Sequence, residues 1–313
     1  MTDYREKIIE ELEVMSKNAK QESNVFRARA YDKVLKQLKT MTKPVNTIAD
    51  LSGIDGIGKG IREKIIEIIN TGTLLAAEAI KNDTSTNVLT ALMKIHGVGP
   101  VKARNLVQKS DIKSVEDLKE KVATNSKLLN AQQKIGLKHY DDFLLRIPRE
   151  EMHKHEIKIL SFIKNAQIVG SYRRGAKDSG DIDVLMKADN ENSIKEFKAA
   201  IEEMKGEKYI TDILALGDHK CMAVVKIGKQ TKYRRLDILL TPASEYATSV
   251  LYFTGSDKFN IQMRKKALAK GYSLSEHGLK KKDETLPDAP VFHTEKDIFD
   301  FLDMEYVEPN KRV

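Results

Sequence analysis

Residues 170–185 of this 313-residue chain read GSYRRGAKDSGDIDVL. The segment 181–186 is short and apolar between its acids, which predicts a β-strand. Because side chains alternate along a strand, Asp181 and Asp183 would point to the same face. Two carboxylates on one face repel each other unless a cation neutralises them, and oxygen ligands with room for water suit Mg²⁺. The preceding Gly-Ser turn and a nearby basic residue supply N–H groups, a hydroxyl and a positive charge for a triphosphate.

A third carboxylate, Asp237, lies in the strand-like segment RRLDILL at 234–240. Three carboxylates on neighbouring strands can hold two Mg²⁺ ions, the arrangement used for in-line phosphoryl transfer. An isolated Asp-x-Asp is more often a pair of solvated acids on an exposed strand. Here the apolar flanks and the Gly-Ser turn favour the metal site.

Composition narrows the class of protein. The chain has 54 Lys and Arg against 46 Asp and Glu, a formal net charge of +8 that favours a polyanionic partner. The single cysteine, Cys221, excludes an intramolecular disulfide and a cysteine-based zinc site. The charged first residues do not form a secretory signal, and no apolar run is long enough to cross a bilayer. We therefore expect a basic, intracellular, globular protein of about two domains.

The two halves of the chain differ in their apolar pattern. From about residue 166 onward, short β-branched segments predict strands, the first of them AQIVGSY at 166–172, with a helix over 193–205 between two of them. We place the joint between the halves at 147–149, because Pro148 stiffens that segment and the pattern changes soon after it. In the first half, apolar residues recur at helical spacing, including the segments 61–70, 74–80, 86–95, 101–108, 114–122 and 127–135.

The helical half contains a short internal repeat. IDGIG at 54–58 recurs as IHGVG at 95–99, and an amphipathic helix follows each copy. This pattern fits a tight hairpin whose second helix offers free N–H groups and its positive dipole end to a phosphate. Residues 81–150 also carry 13 basic against 8 acidic side chains, a net of +5. Two copies in a basic chain favour sequence-independent binding of a nucleic-acid backbone over an ordinary loop. The residues expected at the DNA are Gly56, Gly58, Lys59, Gly97, Gly99 and Lys102.

These motifs carry a resemblance to a known family. GSYRRG followed by DIDVL resembles the nucleotidyltransferase superfamily, and LYFTGSDKFN at 251–260 is similar to the nucleotide-binding region of the family X DNA polymerases, above all of the beta type. The likeness covers nearly the whole chain, including RIPREEM at 146–152 and EKDIFDF near the end.

The resemblance implies an α+β multidomain fold. An N-terminal all-helical part would carry paired helix-hairpin-helix motifs, followed by a palm with a mixed sheet and helices and a small C-terminal α+β nucleotide-binding subdomain. The expected boundaries are 1–80, 81–141, 142–243 and 244–313.

The resemblance also implies roles for single residues. Asp181 and Asp183 would ligate both of two Mg²⁺ ions, for which Mn²⁺ can substitute, and Asp237 would ligate the catalytic one beside the primer 3′-hydroxyl. Arg235 falls on the DNA, and the peptide bond between Gly255 and Ser256 would be cis. The implied nucleotide contacts are Arg146, Ser171, Arg174, Ser179, Gly180, Tyr252, Phe253, Gly255, Asp257, Asn260 and Arg264. The hairpin carbonyls that would hold Na⁺ or K⁺ against a DNA phosphate belong to Ser52, Ile54, Ile57, Met93, Ile95 and Val98.

The chain departs from the family at three places. The segment 225–232, before the strand of Asp237, is shorter than in the beta type. Leu239 stands where better-known members have an arginine that engages a catalytic aspartate in the open state. The resemblance therefore does not extend to control of closure by that contact. Lys64 matches the lysine that forms a Schiff base with 5′-deoxyribose phosphate, which predicts at most weak lyase activity, because the surrounding basic cradle is thinned. The alternative is that Lys64 is simply a DNA-facing lysine on the second helix of the hairpin. The residues that replace the cradle are Gln21, Glu22, Phe26, Ser52, Gly60 and Ala76.

The predicted function is that of a template-directed DNA polymerase that adds dNTPs to a primer 3′-hydroxyl during short-gap filling in base excision repair. Its expected partners are gapped or nicked primer–template DNA and a dNTP. We expect a monomer without membrane contact, and a nuclear location follows from the resemblance alone. Asn260 and Arg264 argue against a non-templated nucleotidyltransferase, which has no need to inspect a base pair. The three aspartates argue against a non-catalytic DNA-end-binding protein.

Overall fold

The computed structural model describes residues 3–22, 24–82, 84–229 and 231–312. The chain forms two compact units, Met1–Gln133 and Lys134–Val313. The boundary between these units, after Gln133, lies before the predicted joint at 147–149, and Ile147–Pro148 is a short strand inside the second unit. Pro148 has φ −59°, which suits the residue before a helix, so it begins a helix rather than a linker. The finer division into four parts stays a prediction.

The first unit is helical, as predicted. The break inside the predicted segment 127–135 has a local cause: a 3-10 turn at Ser126–Leu128 ends before Asn130, whose side chain accepts the Gln133 N–H at 2.8 Å and so starts a new helix. The helices are α1 Arg5–Gln21, α2 Val25–Thr40, α3 Lys59–Thr71, α4 Leu75–Asn82, α5 Thr84–Leu92, α6 Pro100–Ser110 and α7 Val115–Thr124, with a further 3-10 turn at Ile48–Leu51. The boundary between the two units falls within the next helix, α8 Ala131–Lys138.

The core of the first unit comes from the apolar faces of its first helices. Ile8 and Leu12 of α1, Leu38 of α2, and Ile65 and Ile68 of α3 are fully buried against one another. Burial of each such side chain contributes about 1.5–3 kcal/mol. The apolar residues whose helical spacing predicted these helices are therefore the residues that form the core.

The second unit is built on a five-stranded mixed sheet. Its strand order is β2-β4-β7-β6-β5, with β4 and β7 parallel and the other pairs antiparallel. The predicted strand at 166–172 is only partly right, because it ends at Ile168 and a helical turn follows. The remaining elements up to the end of this sheet are α9 Tyr140–Phe143, β1 Ile147–Pro148, α10 Arg149–Phe162, β2 Ala166–Ile168, α11 Gly170–Arg173, β3 Asp178–Ser179, β4 Ile182–Ala188, α12 Ser193–Gly206, β5 Ile210–Leu216, β6 Lys220–Val225 and β7 Arg234–Pro242.

The sheet has one face in the core and one face toward the cleft described below. Leu236, Ile238 and Leu240 of β7 are buried in the cluster that contains residues of α10 and α12. Because side chains alternate along a strand, Asp237 and Leu239 point to the opposite face. Burial of the aliphatic residues thus fixes the direction of the acid.

The C-terminal part of the second unit is a smaller α+β layer. Phe259 and Met263 of its second helix are buried with Phe299 in a separate core. Among the described residues, none of the helices has both the length and the apolar character needed to cross a membrane. The elements of this layer are α13 Tyr246–Thr254, α14 Asp257–Ala269, β8 Tyr272–Ser275, β9 Gly278–Lys281 and α15 Glu295–Phe301, before a final 3-10 turn at Pro309–Lys311.

Candidate active site

Two of the predicted acids lie side by side on the sheet. Asp183 of β4 and Asp237 of β7 are direct partners in the parallel register. Burial, and then the charges of Asp181 and Asp237, raise the pKa of Asp183 to about 7. Burial also raises the pKa of Asp237. The fold therefore places these carboxylates where two negative charges are unfavourable without a neutralising cation.

The third acid, Asp181, is held by a basic neighbour. The guanidinium of Arg235, which we predicted at the DNA, donates to the Asp181 carboxylate. Within the described part of the chain, no three acidic, histidine or cysteine side chains form a ready metal-binding arrangement. The donor set nevertheless fits a divalent cation, since all three groups are carboxylates and Asp183 has the raised pKa that a cation would lower. On binding, that cation would take the place of the Arg235 guanidinium as the charged partner of the Asp181 carboxylate.

The Gly170–Ser171 turn packs directly against the acids. Gly170 has φ +63°, and a Cβ atom at this position would lie 2.5 Å from Oδ2 of Asp183. Glycine is thus required here both by the backbone conformation and by the close approach of the carboxylate. The Ser171 hydroxyl donates to the Ser179 hydroxyl at 2.9 Å, so both predicted serines belong to one contact.

Most of the predicted nucleotide contacts line one cleft of about 820 Å³. Ser179 is an exception, since it is buried behind Ser171, and Asp237 lies beside the cleft rather than in its lining. Lys258 and Ile261 line the cleft without having been predicted. The predicted residues in the lining are Arg146, Ser171, Arg174, Gly180, Asp181, Asp183, Tyr252, Phe253, Gly255, Asp257, Asn260 and Arg264.

The side of the cleft formed by α13 and α14 is held by side chain–backbone hydrogen bonds. Arg174 donates to the Thr254 carbonyl at 2.5 Å, and Asn260 donates to the Tyr252 carbonyl at 2.7 Å. The guanidinium of Arg264 lies 5.1 Å from the centre of the Tyr252 ring. The Gly255-Ser256 peptide bond is cis, which confirms that expectation. These contacts fix the turn between α13 and α14, where the predicted sugar and base contacts lie.

A buried ion-pair network behind this turn was not predicted from the sequence. Glu295 accepts hydrogen bonds from Arg173, at 3.1 and 2.7 Å, and from the fully buried Arg312, at 2.5 Å. Arg173 also donates to the Thr254 hydroxyl at 2.7 Å. The charge of Arg312 is further stabilised by aromatic faces, those of Phe259, Phe299 and Tyr306. These residues lie far apart in the chain, so no local signal could have revealed the network.

Leu239 occupies an apolar environment. It packs on the cluster formed by Val169, Leu185 of β4 and Val250 of α13, together with Phe253. The contact between the catalytic strands and α13 at this point is therefore aliphatic and aromatic.

Both predicted hairpins are present in the first unit. Gly56 and Gly97 have φ of +92° and +81°, and helices α3 and α6 begin directly after the second glycine of each repeat. Lys59 is exposed and Lys102 is half-buried. Of the predicted cation ligands, the Ile95 carbonyl accepts the Val98 N–H at 3.0 Å, which closes the second turn.

A glutamine side chain supports each hairpin. Gln37 donates to the Asp55 carbonyl at 2.7 Å and accepts the Asp55 N–H at 2.9 Å. Gln133 donates to the Gly97 carbonyl at 2.8 Å. The repeat predicts neither glutamine, because both lie outside the segments that they support. They fix the loops whose glycines face outward.

Lys64 lies on α3, and its ammonium donates to the Gly60 carbonyl at 3.3 Å. Gln21 is buried and donates to the Thr90 hydroxyl at 2.9 Å, so it is used in packing. Phe26 is 86% exposed. None of these contacts assembles a basic pocket around Lys64.

The chain matches four family models along its length: a helix-hairpin-helix domain over residues 3–74, the fingers domain of DNA polymerase lambda over 90–144, the DNA polymerase beta palm over 146–243 and the DNA polymerase beta thumb over 249–313. The palm and thumb matches carry the beta name of the subgroup that we predicted. The fingers match carries the lambda name.

Curated proteins give the same family. The chain is 34% identical to DNA polymerase lambda of Rattus norvegicus over 99% of its own length and 56% of the relative. It is 28% identical to DNA polymerase lambda of Arabidopsis thaliana, over 91% of its length and 58% of the relative. It is 26% identical to the DNA polymerase type-X family protein pol4 of Schizosaccharomyces pombe, over 91% of its length and 60% of the relative. The chain thus spans little more than half the length of these relatives. The chain belongs to the family X DNA polymerases.

Proposed function

We propose that this chain is a template-directed DNA polymerase that adds dNTPs to a primer 3′-hydroxyl when it fills short gaps. The observation that carries the proposal is the direct pairing of Asp183 with Asp237 across two parallel strands, at the side of a cleft lined by arginines. Membership of this family indicates dependence on divalent cations. We assign two Mg²⁺ ions, replaceable by Mn²⁺, to the three aspartates. When bound, such ions supply the positive charge that stabilises phosphoryl transfer.

The residues of the cleft have complementary tasks in this proposal. Asp237 lies on the strand beside Asp183 and would face the primer hydroxyl. Arg174 and Arg146 would bind the triphosphate, since a guanidinium matches phosphate oxygens in both charge and shape. The ring of Tyr252 and the backbone at Gly255 would line the sugar. Asn260 and Arg264 would contact the nascent base pair.

A single experiment separates the proposed function from its two alternatives. The substrate is DNA with a one-nucleotide gap, and each dNTP is supplied alone. A templated polymerase extends the primer with the complementary dNTP only. Extension with all four dNTPs at similar rates would indicate a non-templated transferase. Binding of the gap without any extension would indicate an end-binding protein.

We expect the hairpins to carry much of the affinity for DNA. Because they contact phosphates, the association constant should fall steeply as salt rises. The slope of log K against log salt is negative. Replacing Lys59 and Lys102 with glutamine should make it less steep, by about one for each lysine. Fluorescence anisotropy of labelled gapped DNA over a salt series measures the slope.

The control for this experiment is Lys43→Gln, which removes an exposed lysine outside both repeats. It should leave the slope unchanged. Affinity that is independent of salt, or a strong sequence preference in the duplex flanks, would contradict backbone binding. In the same proposal, Na⁺ or K⁺ at the hairpin carbonyls would link the loops to a DNA phosphate.

We also propose that any lyase activity at Lys64 is weak. Schiff-base formation needs a free amine and a sugar whose 5′-phosphate is held in place. Lys64 supplies the amine, but its observed partner is the Gly60 carbonyl, and Gln21 is bonded to Thr90, so neither contact adds a basic group for the phosphate. Borohydride trapping on an incised abasic site should be slow, and should depend little on a 5′-phosphate.

The matched variants for this test are Lys64→Ala and Lys59→Ala, two lysines of the same helix. Efficient trapping that disappears only with Lys64→Ala would show that other residues rebuild the pocket. It would contradict the expectation of weak activity. A role in base excision repair, a monomeric state and a nuclear location belong to the same proposal and rest on the family.

A further inference from the structure

The second unit has a groove of about 680 Å³ that shares no lining residue with the catalytic cleft. It lies between α10, the end of α12, the start of β5 and the segment that follows β6. We call it the lysine groove, because Lys154, Lys158, Lys208, Lys226 and Lys229 line it. Nothing in the proposed polymerase reaction uses these residues.

The groove has a strong excess of positive charge. Among the described residues, Glu207 is the one carboxylate in its lining, and it already pairs with Lys158. The ammonium of Lys226 lies 4.4 Å from the centre of the Tyr233 ring. Lys154, Lys208 and Lys229 are exposed and have no ion-pair partner within the part of the chain that the structure describes. Three positive charges of the groove are therefore available to an external anion.

Apolar surface lies between these charges. Ile157 of α10 is 59% exposed although it belongs to a helix with a buried opposite face. Ile227 and the buried Tyr209 complete the apolar part of the lining. A concave apolar surface ringed by unpaired charges resembles a peptide-binding groove more than an ordinary solvated surface.

The backbone at Lys208 gives an independent observation. Lys208 directly follows the end of α12 with φ +59°, a left-handed conformation that glycine adopts without steric cost. A lysine at this position stabilises the end of the helix no better than glycine would. Its side chain does, however, add a charge to the rim of the groove.

We propose that the lysine groove binds an acidic peptide segment of a partner protein, with one or two large apolar side chains seated against Ile157 and Ile227. Charge complementarity selects the acidic peptide. A DNA backbone is the less suitable occupant, because its phosphates would leave the apolar surface of Ile157 and Ile227 uncovered, whereas apolar side chains of a peptide would cover it.

The test uses the full chain and a fluorescein-labelled peptide of about twelve residues in which aspartates and glutamates surround two leucines and a phenylalanine. The wild-type chain should bind it, and Lys154→Gln/Lys208→Gly should weaken binding by at least about fivefold. Ile157→Ser should weaken it as well. Lys195→Gln, which removes an exposed lysine of α12 outside the groove, should change the affinity less than about twofold.

Two control peptides separate the contributions. One keeps the acids and replaces the apolar residues with serine, and the other keeps the apolar residues and replaces the acids with their amides. Both should bind more weakly than the parent peptide. Equal binding of all three peptides, or of wild type and the groove variants, would overturn the proposal.

A final arm distinguishes peptide from nucleic acid. Blunt duplex DNA without a gap is titrated against wild type and Lys154→Gln/Lys208→Gly. Duplex affinity should be equal in the two proteins, and primer extension should be unchanged. A loss of duplex affinity as large as the loss of peptide affinity would assign the groove to DNA and overturn the proposal.

Discussion

Replacement of Asp237 with alanine is expected to lower the rate of primer extension by at least about a thousandfold. Asp237 is the carboxylate opposite Asp183 in the register of the two parallel strands. In the function that we propose, it would lie nearest the primer hydroxyl. Its contribution arises as the hydroxyl loses its proton, so binding of gapped DNA and of dNTP should be largely retained. Single-turnover extension and anisotropy measure the two quantities separately.

The control variant is Asp218→Ala, which removes an exposed acid on the loop between β5 and β6 that pairs with Lys198. It should extend primers at the wild-type rate. Retention of even a tenth of the wild-type rate by Asp237→Ala would contradict the assignment of the metal site. Loss of DNA binding together with extension would instead indicate damage to the sheet.

The second large effect is expected from Glu295→Ala, which removes the only carboxylate between Arg173 and Arg312 in their described contacts. Two guanidinium groups would remain buried without a counter-charge. Loss of one partner of a buried ion pair costs about 3–5 kcal/mol. The free energy of unfolding of the second unit should fall by this amount in urea titrations followed by circular dichroism. Hydrogen exchange of α13 and α15 should accelerate in parallel.

The stabilisation by Glu295 should be lost as the pH falls. Burial alone would raise the pKa of Glu295, but the hydrogen bonds from Arg173 and Arg312 outweigh it and hold the pKa below the ordinary value of 4.5. A depressed folded-state pKa means that the stabilisation is complete above about pH 4.5 and is lost as the pH falls through the folded-state value. The difference between wild type and Glu295→Ala should shrink over that acid range.

Glu305→Gln is the matched control, since Glu305 is exposed in the same C-terminal layer. It should change the free energy of unfolding by less than about 0.5 kcal/mol. A similarly small effect of Glu295→Ala would show that the arginines find other partners. A difference that persists unchanged far below pH 4 would contradict an electrostatic origin.

Local sequence patterns predicted much of this fold, because the residues buried in its cores recur at helical spacing along the helices and alternate along the strands. The alternation along β7 buries Leu236 and Ile238 in the core and thereby places Asp237 on the other face of the sheet. The joint predicted at 147–149 differs from the unit boundary after Gln133, because the prediction used only the local signal of a proline. Proline stiffens a chain equally well before a helix as in a linker, and only the long-range contacts distinguish the two cases.

The candidate site was predictable where its residues cluster in the sequence and unpredictable where they meet across the fold. Asp181 and Asp183 share one strand segment, so their proximity follows from the strand period. The pairing of Asp181 with Arg235 does not, because it depends on which strands are neighbours and in what register. Gln37 likewise supports Asp55 only because α2 packs beside the first hairpin.

Leu239 has a thermodynamic consequence for the link between the catalytic strands and α13. A charged latch at this point would weaken with ionic strength and with protonation of its acid. The contact of Leu239 with the cluster of Val169, Leu185, Val250 and Phe253 has neither dependence. Apolar contacts instead carry a heat-capacity change, so their strength varies with temperature. In this chain, warming and cooling should shift the association of β7 with α13 more than salt or acid does.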